Sequence, residues 1–277
     1  MVGLLAVNSD TSNGQGECMT YGGMVAETVQ ISCPGGDTID SYVAWPAGAG
    51  PFPGVIVIHH MPGWDEWSIE VTRRFAQHGY VAICPNLHHR AGPGPLAEVV
   101  QRVRDAGGSR DDRVAGDIQG ALDYLRSLPF SSGPVGVIGF CSGGRIAYMV
   151  GCKVPGIDAA VDCWGGNVIA PADRLTENQP TAVIDMTPDL ACPLLGIFGN
   201  DDQNPDPEQV NKIEAELKKH NKPYEFHRYD GAGHGFFGWE RPSYRPEQAV
   251  DAWQKIYAFY DRHLTGSAKG KKASVKV

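Results

Sequence analysis

No CxxC pair occurs among the seven cysteines of this sequence, at positions 18, 33, 84, 141, 152, 163 and 192. An odd, scattered set of this kind excludes a disulfide framework and a zinc knuckle, and most of these thiols are expected to be reduced and buried. Long apolar runs are missing as well: no segment approaches the roughly 18 uninterrupted apolar residues of a membrane-spanning helix. The N-terminus has no basic region followed by a hydrophobic block, so a cytoplasmic protein with no membrane association is expected. Basic residues are the minority, 24 Lys and Arg against 32 Asp and Glu, and the net charge of −8 disfavours a nucleic-acid partner. The last twelve residues, GSAKGKKASVKV, reverse that balance with four Lys and no acid. Residues 265–277 are therefore expected to form a disordered basic tail, and residues 1–25, without a sustained hydrophobic period, an irregular N-terminal segment.

At 277 residues the chain fits one large domain, 26–264, with no internal repeat and no interdomain linker. Alternation over Glu27–Cys33 and Thr38–Trp45, separated by CPGGD, predicts an antiparallel hairpin at a sheet edge. Continuous β-branched or apolar runs at Val55–His60, Tyr80–Cys84, Val135–Ile138, Ala159–Cys163 and Pro193–Gly199 predict strands buried on both faces, and Tyr224–Tyr229 a further strand. Helical spacing marks 68–77, with Trp67, Val71 and Phe75 on one side, 112–128, 207–220 and 246–264; a short helix is expected over 96–103 within the long 85–111 connection. Residues 165–192 are expected to be irregular. Strands alternating with helices imply an α/β fold with a mostly parallel central sheet covered by helices on both faces.

The hexapeptide Gly139-Phe140-Cys141-Ser142-Gly143-Gly144 lies between one of these strands and a helix-like stretch. A sharp strand-to-helix turn of this type needs small residues two before and two after its tip, here Gly139 and Gly143, which leaves Cys141 as the exposed tip. A thiol at that place is a candidate nucleophile. It needs a base and an orienting acid, each just past a later strand. Asp201 and Asp202 follow the strand ending at Gly199, and His234 follows the strand ending near Tyr229; spacing alone does not choose between the two aspartates, one of which is expected to cap the next turn or helix. His59 and His60, and His88 and His89, form two further pairs at the ends of adjacent strands. They offer a metal-site reading, but adjacent residues on a strand point to opposite faces and no carboxylate stands at a familiar ligand spacing, so no metal is expected. Trp64, Trp67, Phe236, Phe237 and Trp239 are available to wall an apolar pocket.

GFCSGG, the GNDD of Gly199–Asp202, GAGHGFF, VIVIHHMPGW and YVAICPNL together resemble the dienelactone hydrolase family, cysteine members of the α/β-hydrolase fold, over about residues 26–264. The resemblance implies Cys141 as nucleophile, His234 as base and Asp202 as its partner. It also implies an oxyanion hole made by the backbone N–H groups of Met61 and Ser142. Two positions depart from the family: His60 stands where a glutamate keeps the thiol protonated, and Gly238 stands where an arginine holds a substrate carboxylate, with Arg241 the nearest cation. Substrate contacts are assigned to His60, His88, Trp64, Phe236 and Arg241. The expected activity is hydrolysis of a small lactone or activated ester through an acyl-thioester, without a cofactor, by a monomer or homodimer. Rival readings are a broad carboxylesterase or thioesterase, a catalytically silent hydrolase-fold binding protein, and a metal-dependent hydrolase using the histidine pairs.

Overall fold

A computed structural model describes residues 22–266. The expected tail beyond 266 and the segment 1–21 lie outside the described residues. Among the described residues the strands form a single eight-stranded sheet in the order β1-β2-β4-β3-β5-β6-β7-β8. The edge hairpin is β1 (Met24–Ser32) and β2 (Thr38–Pro46), paired antiparallel from Met24 opposite Pro46 to Ser32 opposite Thr38. The first strand begins before the expected Glu27, so residues 24 and 25 are paired rather than irregular. β2 also runs antiparallel to β4 (Val81–Pro85). From there the sheet is parallel through β3 (Phe52–Ile58), β5 (Ser131–Phe140), β6 (Ala159–Cys163), β7 (Leu194–Gly199) and β8 (Tyr224–Tyr229).

The continuous apolar runs are explained by two cores, one on each face. Successive side chains of a strand point oppositely, so Val55 and Val57 of β3 enter one cluster while Ile56 and Ile58 enter the other. The first face is covered by α1 (Glu66–Gln77) and α6 (Pro246–Tyr260), through Val71, Phe75, Trp253, Ile256 and Phe259. The opposite face is covered by α3 (Asp111–Ser127), α4 (Ser142–Lys153) and α5 (Pro207–Lys219), through Ile118, Leu122, Met149, Val150, Ile213 and Leu217. α1 begins two residues before the expected Ser68 because Asp65 caps it, its side chain accepting from the Ser68 N–H at 3.0 Å. The 85–111 connection carries α2 (Leu96–Asp105), and the stretch expected to be irregular contains two short 3₁₀ turns, Ala172–Arg174 and Val183–Asp189. No helix of the described residues is long and apolar enough to cross a membrane. The architecture is that of the α/β-hydrolase fold, and it brings the C-terminal ends of β3, β4, β5, β6, β7 and β8 to one edge, the edge at which parallel sheets bind ligands.

Candidate functional site

Cys141 follows β5 directly, with φ 57° and ψ −120°, in the left-handed half of backbone space that an L side chain enters only under strain. Its neighbours hold it there. The Cys141 N–H donates to the Cys163 carbonyl at 3.0 Å, and its own carbonyl accepts the Gly144 N–H at 2.9 Å, the first hydrogen bond of α4. The two flanking glycines are required by close approach. A Cβ on Gly139 would lie 1.8 Å from the Gly143 carbonyl oxygen, and one on Gly143 would lie 2.5 Å from the Ile58 and 2.6 Å from the His59 carbonyl oxygens. The elbow is thereby pressed against the end of β3, the strand that delivers His59, His60 and Met61.

Beyond β8, His234 is 39% exposed at its side chain and donates from Nδ1 to Asp202 Oδ2 at 2.8 Å, while Asp202 itself is 3% exposed. Asp202 Oδ1 accepts the Asn204 N–H at 2.9 Å, so one carboxylate both turns its own loop and orients the imidazole. Asp201 is exposed, and neither aspartate caps the following helix: Asp206 does, accepting the Gln209 N–H at 2.7 Å. His234 in turn hydrogen-bonds the Cys141 sulfur, toward which the backbone N–H groups of Ser142 and Met61 also point. Burial alone would push this thiol up, but the bond and charge of His234, with the two amides, reverse that and hold Cys141 below the ordinary thiol range. Burial would likewise lower His234, yet Asp202 and Cys141 raise it to about 10. Both shifts favour proton transfer from the Cys141 thiol to His234, as do the aligned peptide dipoles at the N-terminus of α4.

Two cavities meet at Cys141 and His234. The larger, about 490 Å³, also has Met61, His88, Arg104, Arg145, Gln179 and Asn204 in its walls. The smaller, about 60 Å³, is aromatic on one side, with Trp67, Phe140 and Trp164, and polar on the other, with His60 and Arg241. His60, His88 and Arg241 line these cavities, whereas Trp64 and Phe236 do not. The Trp64 indole donates to the Cys84 carbonyl at 3.0 Å, and Phe236 is 0% exposed among Trp164, Tyr229 and Phe237. Phe236 is a member of the core, and Trp64 is half-buried against it. Of the aromatic set, only Trp67 reaches the small cavity, from the first turn of α1.

The histidine pairs separate by environment. His59 has both ring nitrogens engaged, Nδ1 donating to the His60 carbonyl at 2.9 Å and Nε2 accepting the Leu87 N–H at 3.2 Å. Burial, with His88 beside it, lowers it to about 3, and burial lowers His88 to about 4, so both are neutral. Three groups escaped sequence reasoning. Asp65 binds His60 Nε2 at 2.6 Å. Arg145, one turn past the elbow, forms a buried bidentate pair with Asp111 at 2.8 and 2.9 Å, which ties α4 to the start of α3. Arg104 extends from α2 to the larger cavity.

Behind the elbow, Asp162 of β6 accepts the Gly165 N–H at 2.7 Å through Oδ1, while Oδ2 is buried without a partner among the described residues. Burial raises this carboxyl from 3.8 to about 7. A raised acid stabilises the fold fully below its unfolded value, and that stability is lost as pH rises toward the folded value. Asp162→Asn keeps the Oδ1 acceptor and removes the titration. The stability of the native protein relative to this variant should therefore fall by about 2.5 kcal/mol between pH 5 and pH 8. Urea midpoints of both proteins at the two pH values measure this directly, and a difference independent of pH would contradict it.

A sequence model of the dienelactone hydrolase family matches residues 39–264. The chain is 33% identical over 232 residues to a Synechocystis sp. protein named "Putative carboxymethylenebutenolidase", covering 82% of this chain and 92% of that one. A Methylorubrum extorquens protein of the same name is 31% identical over 250 residues, 87% of this chain and 82% of the other. Among solved structures, a Klebsiella pneumoniae protein titled "Putative Dienelactone Hydrolase" superposes with a TM-score of 0.79 at 28% identity, covering 87% of this chain and 100% of that one. Sequence and fold agree over most of the length: the chain belongs to the dienelactone hydrolase family and is a hydrolase of lactone or ester bonds.

Proposed function

We propose that the chain opens a lactone or activated ester by covalent catalysis, with Cys141 as nucleophile, His234 as proton carrier and Asp202 as the group that orients it. The continuous hydrogen-bonded series from Cys141 through His234 to Asp202, at a strained strand-to-helix turn, carries this reading. In the resting site the proton already resides on His234. The Cys141 thiolate attacks the acyl carbon, and the carbonyl electron pair moves onto oxygen, where the N–H groups of Met61 and Ser142 stabilise it. As the carbonyl re-forms, the bond to the ring or ester oxygen breaks and that oxygen takes the His234 proton. Water then attacks the thioester, giving a proton back to His234, and collapse of the second intermediate expels the thiolate and releases the carboxylic acid.

A thiolate is itself a good leaving group, so the first intermediate goes forward only when the departing oxygen leaves at least as well. Enol lactones, aryl esters and thioesters meet that condition; amides and simple alkyl esters do not. The name carboxymethylenebutenolidase borne by the relatives points to a butenolide lactone. Arg104 in the larger cavity and Arg241 at the smaller one offer cations to an acidic substituent.

The test is whole-protein mass and peptide mapping after brief treatment with one equivalent of iodoacetamide near neutral pH, with parallel hydrolysis of an enol lactone and of its open-chain ester. Selective labelling of Cys141, loss of hydrolysis in proportion, and preference for the lactone are the expected results. Labelling spread over the cysteines, or activity that survives loss of the Cys141 thiol, would overturn the covalent reading. Preference for the open-chain ester would favour the broad esterase.

A further inference from the structure

Between the end of β3 and the start of α1 the chain makes a compact turn built on two residues. The His60 carbonyl accepts the Gly63 N–H at 2.9 Å and His59 Nδ1 at 2.9 Å, and the Gly63 carbonyl accepts the Asp65 N–H at 3.0 Å. Asp65 then closes the turn from its far side. Its Oδ1 caps α1, accepting the Ser68 N–H at 3.0 Å and the Ser68 hydroxyl at 2.8 Å, while Oδ2 holds His60 Nε2 at 2.6 Å. His60 is 5% exposed, packs tilted against Trp67 with ring centroids 5.2 Å apart, and walls the small cavity beside Cys141 and His234. Met61, whose N–H points at the Cys141 sulfur, is the first of the four residues enclosed between the two ends of this clasp. Burial would raise the Asp65 carboxyl, but His60 and Ser68 bring it down to about 2, so the clasp is anionic at that end throughout the working range.

We infer that His60 and Asp65 form a positioning pair that fixes the Met61 N–H for the developing oxyanion, an inference that rests on the proposed role of Cys141. An oxyanion-hole donor acts through preorganisation, and losing one costs about 10²–10³ in turnover. The turn that carries Met61 has no regular secondary structure to hold it, and the imidazole–carboxylate bond spans it from one end to the other. In the family pattern a carboxylate at this position holds the thiol protonated; here an imidazole stands there and turns its Nε2 to a carboxylate of its own, leaving His234 and the amides to hold the thiolate.

Three variants in the full chain test this, each followed by kcat and KM on an enol lactone and by the rate of Cys141 alkylation with iodoacetamide against pH. Alkylation proceeds without an oxyanion, so it reads the thiolate and not the hole. His60→Ala should lower kcat about 100-fold with KM within about threefold, and move the alkylation profile only slightly toward higher pH, because the Met61 N–H contributes less than His234 and the Ser142 N–H to holding the thiolate. Asp65→Ser, which retains a capping oxygen for the Ser68 N–H, should lose turnover in the same way. His60→Gln places an amide N–H where Nε2–H was and should recover kcat to within about fivefold of the native protein. Native-like turnover in His60→Ala, loss of alkylation in parallel with turnover, or failure of His60→Gln to recover activity would each overturn the positioning role. A native protein whose Cys141 is not selectively alkylated would instead fail the covalent reading, before any variant is compared.

Discussion

Cys141→Ala should lower kcat/KM on an enol lactone by at least about 10⁴-fold while leaving the fold in place, because it removes the attacking atom and nothing that the core rests on. Cys141 is only partly buried, and its backbone, not its sulfur, makes the hydrogen bonds that hold the elbow. Cys141→Ser separates two explanations of the residual rate. A hydroxyl does not ionise beside His234 as the thiol does, so the serine variant must wait for a neutral imidazole to take its proton. In the native protein the rate should rise with pH through the lowered thiol value, stay level, and fall near 10 as His234 loses the proton it passes to the leaving oxygen. In Cys141→Ser the sulfur that helped hold His234 high is gone, so the acid limb should move to the deprotonation of that histidine. A pH–rate profile of both proteins on one lactone measures this. An acid limb common to the two would mean that the native limb does not belong to the thiol.

How legible the site was depends on what held each residue in place. Cys141, Asp202 and His234 sit just past strands whose apolar runs are plain in the sequence, and the fold then has no freedom to put them anywhere except on one edge. Even the ambiguity between Asp201 and Asp202 ended at a local turn, in which Asp202 binds the Asn204 N–H and so faces inward. Asp65 carried no such signal. Its partner is five residues away across an irregular turn, and neither helical nor strand periodicity relates two such positions. Arg104 is one of four charged residues on a short amphipathic helix, and nothing in their spacing tells which of them reaches the cavity. Trp64 and Trp67 are three residues apart, but the first lies in the turn and the second in the helix, so their indoles diverge. Phe236 is separated from the cavity by the rings it packs on, a relation that depends on the whole loop after β8.

Gly139→Ala should be the most destabilising single methyl in the molecule's catalytic half, costing at least about 4 kcal/mol, and should lower the melting temperature by roughly 10 °C or more or prevent folding altogether. The added carbon would stand 1.8 Å from the Gly143 carbonyl oxygen and 2.2 Å from its carbonyl carbon, both backbone atoms, so no rotamer change relieves the overlap. Gly143 cannot retreat, because its own face lies against the Ile58 and His59 carbonyls at the end of β3. Relief would require opening the contact between α4 and the sheet, and with it the turn that holds Cys141. The same substitution at Gly116 provides the counterpart. That residue lies in the interior of α3, where a Cβ would meet only the Pro34 carbonyl at 3.9 Å. Gly116→Ala therefore adds no overlap and removes the backbone freedom that glycine must surrender on entering a helix, which should stabilise the protein by about 0.5–1 kcal/mol. Thermal melts of the two variants beside the native protein decide the matter: one methyl should move the midpoint down sharply at the elbow and slightly up in the helix. A Gly139→Ala protein that melts within a few degrees of native would show that the elbow can shift by more than an ångström without losing its hold on the sheet.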